Sequence, residues 1–449
     1  MKTFFDHINA SQNSPFFIEE GKKYSYKHIE LRIIERSKSL RHQGIKKGHL
    51  IAFQRSSPID FFIDLFALWK LDAIAVPFSP KAPLEEIKKW HKEIPFSFLI
   101  QKEKVLKLST LTSTFGHEGP CLVILTSGSS GQPKGVVLEQ KNLYYSALGT
   151  NQFYSLGNHD RWGLTLPPHH IGGLMIGLRC LIAGASVVIK HKSQNLTEFI
   201  NTEKPTFLSL VPHQLKSIIN SKLDHSLKAI LVGGAQVSNS LMKDAKRQRL
   251  PLSPTYGLSE MASQVTAQKP RDFLEKKDIY HLGSPLPYRN LKIGSKGKVI
   301  LEGPTSFLGY IINKELTPSE KKWISQDLGE LTKTGNLIIK GRVDNIFISG
   351  GENINPVEIE EALIEHQDIE EVHVVPVPHS KFEKVPFAFY KSKKKLTKEE
   401  LSQFLKDKIH PFKKPKYYFP NDFSYQGIKP QKSELKKKAL AIIEKENSA

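Results

Sequence analysis

The stretch ILTSGSSGQPKGVV, Ile124 to Val137, is apolar and β-branched at both ends, with small hydroxyl residues and glycine between. Its middle cannot fill a core, so it reads as a loop that holds something outside the chain. Gly128, Gly131 and Gly135 let a backbone turn tightly and present N–H groups to an anion. Thr126, Ser127, Ser129 and Ser130 add hydroxyls, and Lys134 adds a mobile positive charge. The set suits a polyphosphate. A standard P-loop requires G-x-x-x-x-G-K-[ST]. Here Pro133 precedes the lysine and Gly135 follows it, which removes the hydroxyl that would hold Mg2+. The bland alternative is a flexible Ser/Gly linker. Lys134 and the strands on either side speak against it.

Upstream of the loop, HIELRIIERSKSLRHQG has helical spacing and stops at Gly44. HLIAFQ reads as a strand, DFFIDLFALWKLD as a buried helix interrupted by Asp64, AIAVPF as a strand, and CLVILTSG as a strand running into the loop. Downstream come RWGLTLP, GGLMIGLRCLIAG, ASVVIK, a helix near 196–203, TFLSLVP, a helix near 212–221, LKAILVGGA and a helix near 238–249. This alternation predicts a doubly wound α/β layer structure. KGKVILEGP and LGELTKTGNLIIKGR then predict a β-rich subdomain.

The best boundary is GRVDN, Gly341 to Asn345, dividing a large domain, 1–341, from a small α+β domain, 342–449. In the small domain INPVEIEEALIEH is a helix with Pro356 in its first turn, and IEEVHVVPVP and VPFAFYKS are strands. TKEELSQFLKDKI is a helix with an N-cap threonine and an acidic first turn.

At 449 residues the chain exceeds one ordinary core. Its 39% hydrophobic and 24% charged residues are those of a globular protein. Two cysteines, Cys121 and Cys180, argue against a disulfide framework and a cysteine-based zinc site and fit a reducing compartment. The start has no signal-peptide pattern, and no run approaches ~20 apolar residues, so a cytoplasmic protein without a membrane span is expected. The net charge of +20 brings nucleic acid into consideration. That charge is scattered lysine without a basic stripe of interleaved aromatics, so no nucleic-acid partner is expected.

LTSGSSGQPKGVV resembles the phosphate-binding loop of the adenylate-forming superfamily, which holds acyl-CoA synthetases, peptide-synthetase adenylation domains and firefly luciferase. The resemblance extends over nearly the whole chain from about residue 20. It implies that Gly233, Gly234 and Ala235 lie against adenine. TYGLSEMA resembles the family's Y-G-x-T-E segment, which implies Tyr256 stacked on adenine, Gly257 beside it, Ser259 bonded to phosphate and Glu260 holding Mg2+. Asp327, in WISQDLGEL, matches the aspartate that binds both ribose hydroxyls, although the family's W-x-x-T-G-D is one residue longer. GRVDNIFISGGENINPVEIE implies Arg342 at ribose or phosphate, a hinge at Asp344, and a thiol-tunnel loop of Gly350, Gly351 and Glu352. SYQGIKPQKSEL carries Lys429 as the adenylation lysine in G-I-K where the family has G-K, with Lys432 as the fallback.

LTLPPHHIGGLMIGLRCLIAGASVVI resembles the segment that walls the acyl pocket, with His170 as its gating residue. Arg179 lies nine residues further on in an otherwise apolar helix. A buried arginine needs an anionic partner, either an internal carboxylate or a carboxylate of the substrate. H-I-G-G-L with this arginine, the short chain and the G-I-K tail resemble the 2-succinylbenzoate–CoA ligases of menaquinone biosynthesis. That resemblance implies a dicarboxylic acid activated by ATP and Mg2+ as an acyl-AMP and passed to CoA. The sequence leaves both a monomer and a homo-oligomer open. Another acyl- or aryl-CoA ligase, an adenylation enzyme that loads a carrier protein, and a catalytically dead binding homologue stand as alternatives. Lys134, Glu260, Asp327 and Arg342 argue against the last.

Overall fold

The structure, a computed structural model, describes residues 3–102, 104–109, 119–127, 133–277, 280–423 and 432–447. Two large sheets carry the first part of the chain. In the nine-stranded sheet, Pro15–Glu19, Ser186–Ile189, Arg161–Leu164, Phe207–Leu210, Ala229–Val232 and Leu252–Leu258 run parallel in that spatial order. Antiparallel strands flank them: Lys22–Ser25 at one edge, Ser263–Ala267 and Ser284–Pro285 at the other. The eight-stranded sheet has Pro120–Ser127, Ile74–Phe78, Leu50–Gln54 and Phe98–Gln101 parallel at its centre. Pro133–Glu139 folds back antiparallel on Pro120–Ser127, with Thr126 opposite Lys134. The lysine-rich Lys104–Lys107 closes the opposite edge, where charge discourages pairing with another chain.

The helices Pro58–Lys70 and Ile171–Ala183 share one core. Both are apolar nearly all round, as helices enclosed on all sides are. Pro58 starts the first under a Ser57 cap. Gly177 allows the second to close on it: a Cβ there would stand 2.3 Å from the Phe62 ring. Asp64 is only 1% exposed and accepts from Arg36 Nε at 2.6 Å and Arg55 Nε at 2.5 Å.

A four-stranded antiparallel sheet follows, in spatial order Asn290–Ile293, Lys298–Glu302, Lys322–Leu331 and Leu337–Arg342. The helix expected over 212–221 ends at Ile218, because Ile219 is extended and Asn220 takes φ 69°. From Phe347 onward the chain packs two cores of its own. They are built on the hairpin Phe347–Ser349/Glu352–Ile354, helices Pro356–Ile364 and Lys398–Phe404, and the sheet Ile369–His379, Glu383–Ser392, Tyr417–Pro420. Pro356 and Thr397 occupy the predicted start positions. This smaller domain touches the larger one through Gln236–Glu361 and through Lys216 Nζ, which donates to the Glu370 carbonyl at 3.2 Å. No helix among the described residues is long and apolar enough to cross a membrane.

Removing Asp64 takes the shared carboxylate away from two guanidinium groups in a low-dielectric site. Asp64→Ala is expected to lower the unfolding free energy by about 3–5 kcal/mol. Chemical denaturation at neutral pH checks it, and a loss below about 1 kcal/mol, as for an exposed pair, would refute it.

Candidate active site

The ends of the two large sheets and the four-stranded sheet bring most of the sequence-selected residues together. Thr126 Oγ1 donates to the Lys134 carbonyl at 3.3 Å and ties the two strands at the mouth of the glycine-rich loop. Ser127 is the last residue of its strand. Gly128, Ser129, Ser130 and Gly131 lie outside the described residues, as does Lys429. Gly135 is corrected from a turn former to a packing residue. It lies in the regular strand Pro133–Glu139, where a Cβ would meet Val123 Cγ1 at 2.7 Å and Ile94 Cδ1 at 2.8 Å.

Lys134 Nζ stands 5.4 Å from the centroid of the Tyr310 ring, within cation–π range. Tyr310 OH donates to Glu260 Oε1 at 2.8 Å. Tyr310 belongs to Gly309–Ile312, which pairs antiparallel with the lysine's own strand. The loop cation, a phenol and the candidate metal carboxylate therefore form one chain. Sequence reasoning missed Tyr310. Burial raises the Glu260 pKa, with the Tyr310 hydrogen bond acting against it.

A second chain starts at Tyr256, whose OH donates to Asp327 Oδ2 at 2.6 Å. Asp327 Oδ1 accepts from Arg342 Nη1 at 3.2 Å, and Arg342 grips Asp344 with Nε at 2.9 Å and Nη2 at 2.8 Å. Asp327 and Arg342 face each other on paired strands, so the shortened WISQD segment still delivers its carboxylate. Ser325 Oγ accepts from the Asp327 N–H at 3.1 Å. Burial and then Asp327 push the Tyr256 pKa up, which keeps the phenol a donor. Gly233 lets its turn lie on the Tyr256 strand, since a Cβ would be 2.9 Å from the Thr255 carbonyl oxygen. Gly234 takes φ 78° and Ala235 is exposed. Gly257 leaves room for the returning strand, with a Cβ position only 2.3 Å from the Ser263 carbonyl oxygen. Ser259 opens the short 3-10 turn that carries Glu260.

Facing the same hairpin, Arg179 is 1% exposed. Its Nη2 donates to Ser263 Oγ at 3.1 Å, its guanidinium lies 5.3 Å from the Trp162 ring centroid, and its Nε has no partner among the described residues. No carboxylate pairs with it among the described residues. Burial lowers its pKa to about 10, so it stays cationic at neutral pH. Sequence reasoning missed a second buried guanidinium, Arg289. Its Nε donates to the Gln264 carbonyl at 2.9 Å, Nη1 to the Pro287 carbonyl at 2.7 Å, and Nη2 to Ser146 O and Oγ at 2.9 Å each. His170 stands at the N-cap of the arginine's helix with its ring 4.4 Å from that of His169.

Two candidates are not gathered in. Gly350, Gly351 and Glu352 form an exposed hairpin turn, and Gly350 N bonds the small domain's own Phe382 carbonyl at 3.2 Å and Glu383 Oε2 at 3.1 Å. Lys432, the fallback lysine, is ion-paired with Glu360 at 3.3 Å.

The family model of the AMP-binding enzymes matches residues 4–114 and 110–311, and that of the AMP-binding enzyme C-terminal domain matches 358–421. The chain belongs to the AMP-binding enzyme family. A 2-succinylbenzoate–CoA ligase of Listeria monocytogenes serotype 4b is 28% identical over 435 residues, 91% of this chain and 92% of that one. One of Bacillus licheniformis is 33% identical over 313 residues, 66% and 65% of the two chains. Wild-type E. coli MenE, solved with a bound m-phenylether-linked analogue of OSB-AMS, is 27% identical with a TM-score of 0.78 over 98% of each chain. The Bacillus subtilis o-succinylbenzoate CoA synthetase, solved with the acyl-adenylate intermediate OSB-AMP, shares the fold with a TM-score of 0.85 at 24% identity over 96% of this chain and 97% of that one.

At the start of the helix Ile171–Ala183, burial and then the charge of His170 lower the His169 pKa to about 3, and burial lowers that of His170. An unfolded histidine titrates near about 6.5. Between these values the unfolded chain binds the extra proton, so this contribution to stability is full above about 6.5 and is lost as pH falls toward 3. Thermal midpoints measured downward from neutral pH are therefore expected to fall less steeply in His169→Asn than in the parent. Parallel slopes would refute it.

Proposed function

We propose that this member of the AMP-binding enzyme family is an ATP-dependent acid–CoA ligase that converts 2-succinylbenzoate, ATP and CoA into 2-succinylbenzoyl-CoA, AMP and pyrophosphate, a step of menaquinone biosynthesis. The observation that carries the choice of acid is Arg179, a buried cation beside the Tyr256–Ser263 hairpin with no carboxylate partner among the described residues. A dicarboxylate supplies one group for activation and one for that cation. The ligases named above, alike over most of their length, support the same assignment.

A carboxylate is a poor acyl donor because its leaving group would be oxide. In the first half-reaction a carboxylate oxygen attacks the α-phosphorus of ATP, the bond to the bridging oxygen breaks, and pyrophosphate leaves. In the second, a thiolate attacks the acyl carbon and AMP leaves. Negative charge builds on the α-phosphoryl oxygens and the departing pyrophosphate, where fixed cations and N–H donors lower the barrier. Lys134 and the loop of Thr126, Ser127, Gly128, Ser129, Ser130 and Gly131 take the phosphates, with Ser259 beside them. Tyr256 and the Gly233–Ala235 turn hold adenine. Asp327, set by Tyr256 and Arg342, takes the ribose diol, since a carboxylate accepts two O–H bonds. His170 stands at the acyl entrance.

Glu260 fits Mg2+: it is a carboxylate with a phenol, and no cation, as its hydrogen-bond partner. No three acidic, His or Cys side chains gather into a metal site among the described residues, so the phosphates would complete the coordination. Bound there, Mg2+ would neutralise phosphate charge.

The division at residues 341/342, with Asp344 as hinge, lets the small domain alternate between presenting Lys429 for adenylation and turning Gly350–Glu352 toward the thiol path. Free, buried Cys121 and Cys180 fit a cytoplasmic location.

Pyrophosphate release with ATP and Mg2+ is measured across 2-succinylbenzoate, benzoate, and short and long fatty acids, with and without CoA. The diacid is expected to win and to give a CoA thioester; a different preferred acid overturns the assignment. Lys429→Ala is expected to lose about 10²–10³ in adenylation rate, as for removal of one transition-state donor. Lys432→Ala, already neutralised by Glu360, is expected to stay near wild type. The reverse pattern would move the lysine assignment.

A further inference from the structure

Between the two buried arginines lies a backbone turn that the sequence does not favour. Ala262 takes φ 51° and Ser263 takes φ 98°, consecutive non-glycine residues in left-handed conformations. Such residues cost on the order of 1–3 kcal/mol each and persist only where the surroundings over-determine them. Here the restraint is visible. Ser146 Oγ donates to the Ala262 carbonyl at 2.5 Å. Arg289 holds that same serine through Nη2 and the Gln264 carbonyl through Nε, each at 2.9 Å. Its third direction, Nη1, ties down the Pro287 carbonyl at 2.7 Å. A guanidinium donates in three directions from one rigid plane, which neither an ammonium nor an amide can do.

The product of this clamp is the position of one hydroxyl. Ser263 Oγ accepts from Arg179 Nη2, while Arg179 Nε is buried and has no partner among the described residues. Arg289 is itself 4% exposed and has no carboxylate among the described residues. Burial and then the charge of Arg179 lower its pKa to about 9. A turn needing only mechanical support would be held at lower cost by a neutral group. Two like charges kept in the core without an acid instead make a standing electrostatic field for an anion.

We propose that Arg289 is a positioning residue for the acyl-carboxylate subsite: it clamps the Ala262–Ser263 turn so that Ser263 and Arg179 face the substrate's second carboxylate, and its charge adds to the field there. The inference rests on the reading of Arg179 given above.

The test compares Arg289→Lys, Arg289→Gln, Arg179→Gln and the double variant Arg179→Gln/Arg289→Gln by pyrophosphate release. The acids are 2-succinylbenzoate and two analogues that each keep one carboxylate, 3-benzoylpropionate and 2-butyrylbenzoate. An acid that is not turned over is scored by its inhibition constant. Arg289→Gln is expected to raise the constants about 10-fold for the diacid and for the one analogue that keeps the carboxylate held by Arg179, while KM for ATP and the constant for the other analogue stay within about 2-fold. Arg289→Lys, which keeps the charge but not the three-way fork, is expected to recover part of this, at about 3-fold. The double variant is expected to be little worse than Arg179→Gln, because the two residues act on one group. Should the Gln variant not fold, the Lys variant carries the same split between the two analogues. An equal rise for every acid, or full additivity with Arg179→Gln, overturns the positioning role. If Arg179→Gln itself leaves the preference for the diacid unchanged, the reading of Arg179 fails first, and the proposal with it.

Discussion

The close approach of the helices Pro58–Lys70 and Ile171–Ala183 is the contact on which the large domain depends. Both lie in the main core, and the absence of a side chain at Gly177 lets the Phe62 ring occupy the space a Cβ would need. Each fully buried Phe or Leu contributes roughly 1.5–3 kcal/mol on leaving water. The same contact fixes where Arg179 stands, because that residue is on the second helix. Packing and the proposed substrate recognition are therefore set by one element. A shift of that helix would misplace the guanidinium as surely as mutating it.

The chain treats its buried charges in two ways. Asp64 is shared by Arg36 and Arg55, and the charge is settled inside the protein. Arg179 and Arg289 are left to a serine hydroxyl and to backbone carbonyls. Desolvation is unfavourable in both places, and only in the first is it offset by an internal anion. The contrast separates a structural ion pair from a receptor, and it does so through partners rather than through burial.

Much of this was legible in the chain because it is written locally. Glycine and hydroxyl strings, apolar runs of regular period and helix-start residues act within a few positions, so the α/β alternation, the first-turn Pro356 and the Thr397 cap could be read directly. Tyr310 could not, because FLGYII looks like any strand and gains its meaning from lying beside the strand of Lys134. Arg289 is a single cation in a lysine-rich chain, and its importance comes from three carbonyl partners far apart in sequence. Gly135 looked like a loop residue, yet its side-chain space is taken by Val123 and Ile94. Asp327 lies in a segment one residue short of the family pattern, and β pairing sets it opposite Arg342.

Arg342 is the common partner of Asp327 and Asp344. One guanidinium is thus divided between the carboxylate proposed for the nucleotide's sugar and the residue proposed as the pivot. Whatever draws on one of these contacts alters the strength of the other, and such a dependence is reciprocal by thermodynamic linkage. Nucleotide occupancy and domain orientation then cease to be independent variables. The affinity for the nucleotide becomes a property of the orientation, and the preferred orientation becomes a property of what is bound.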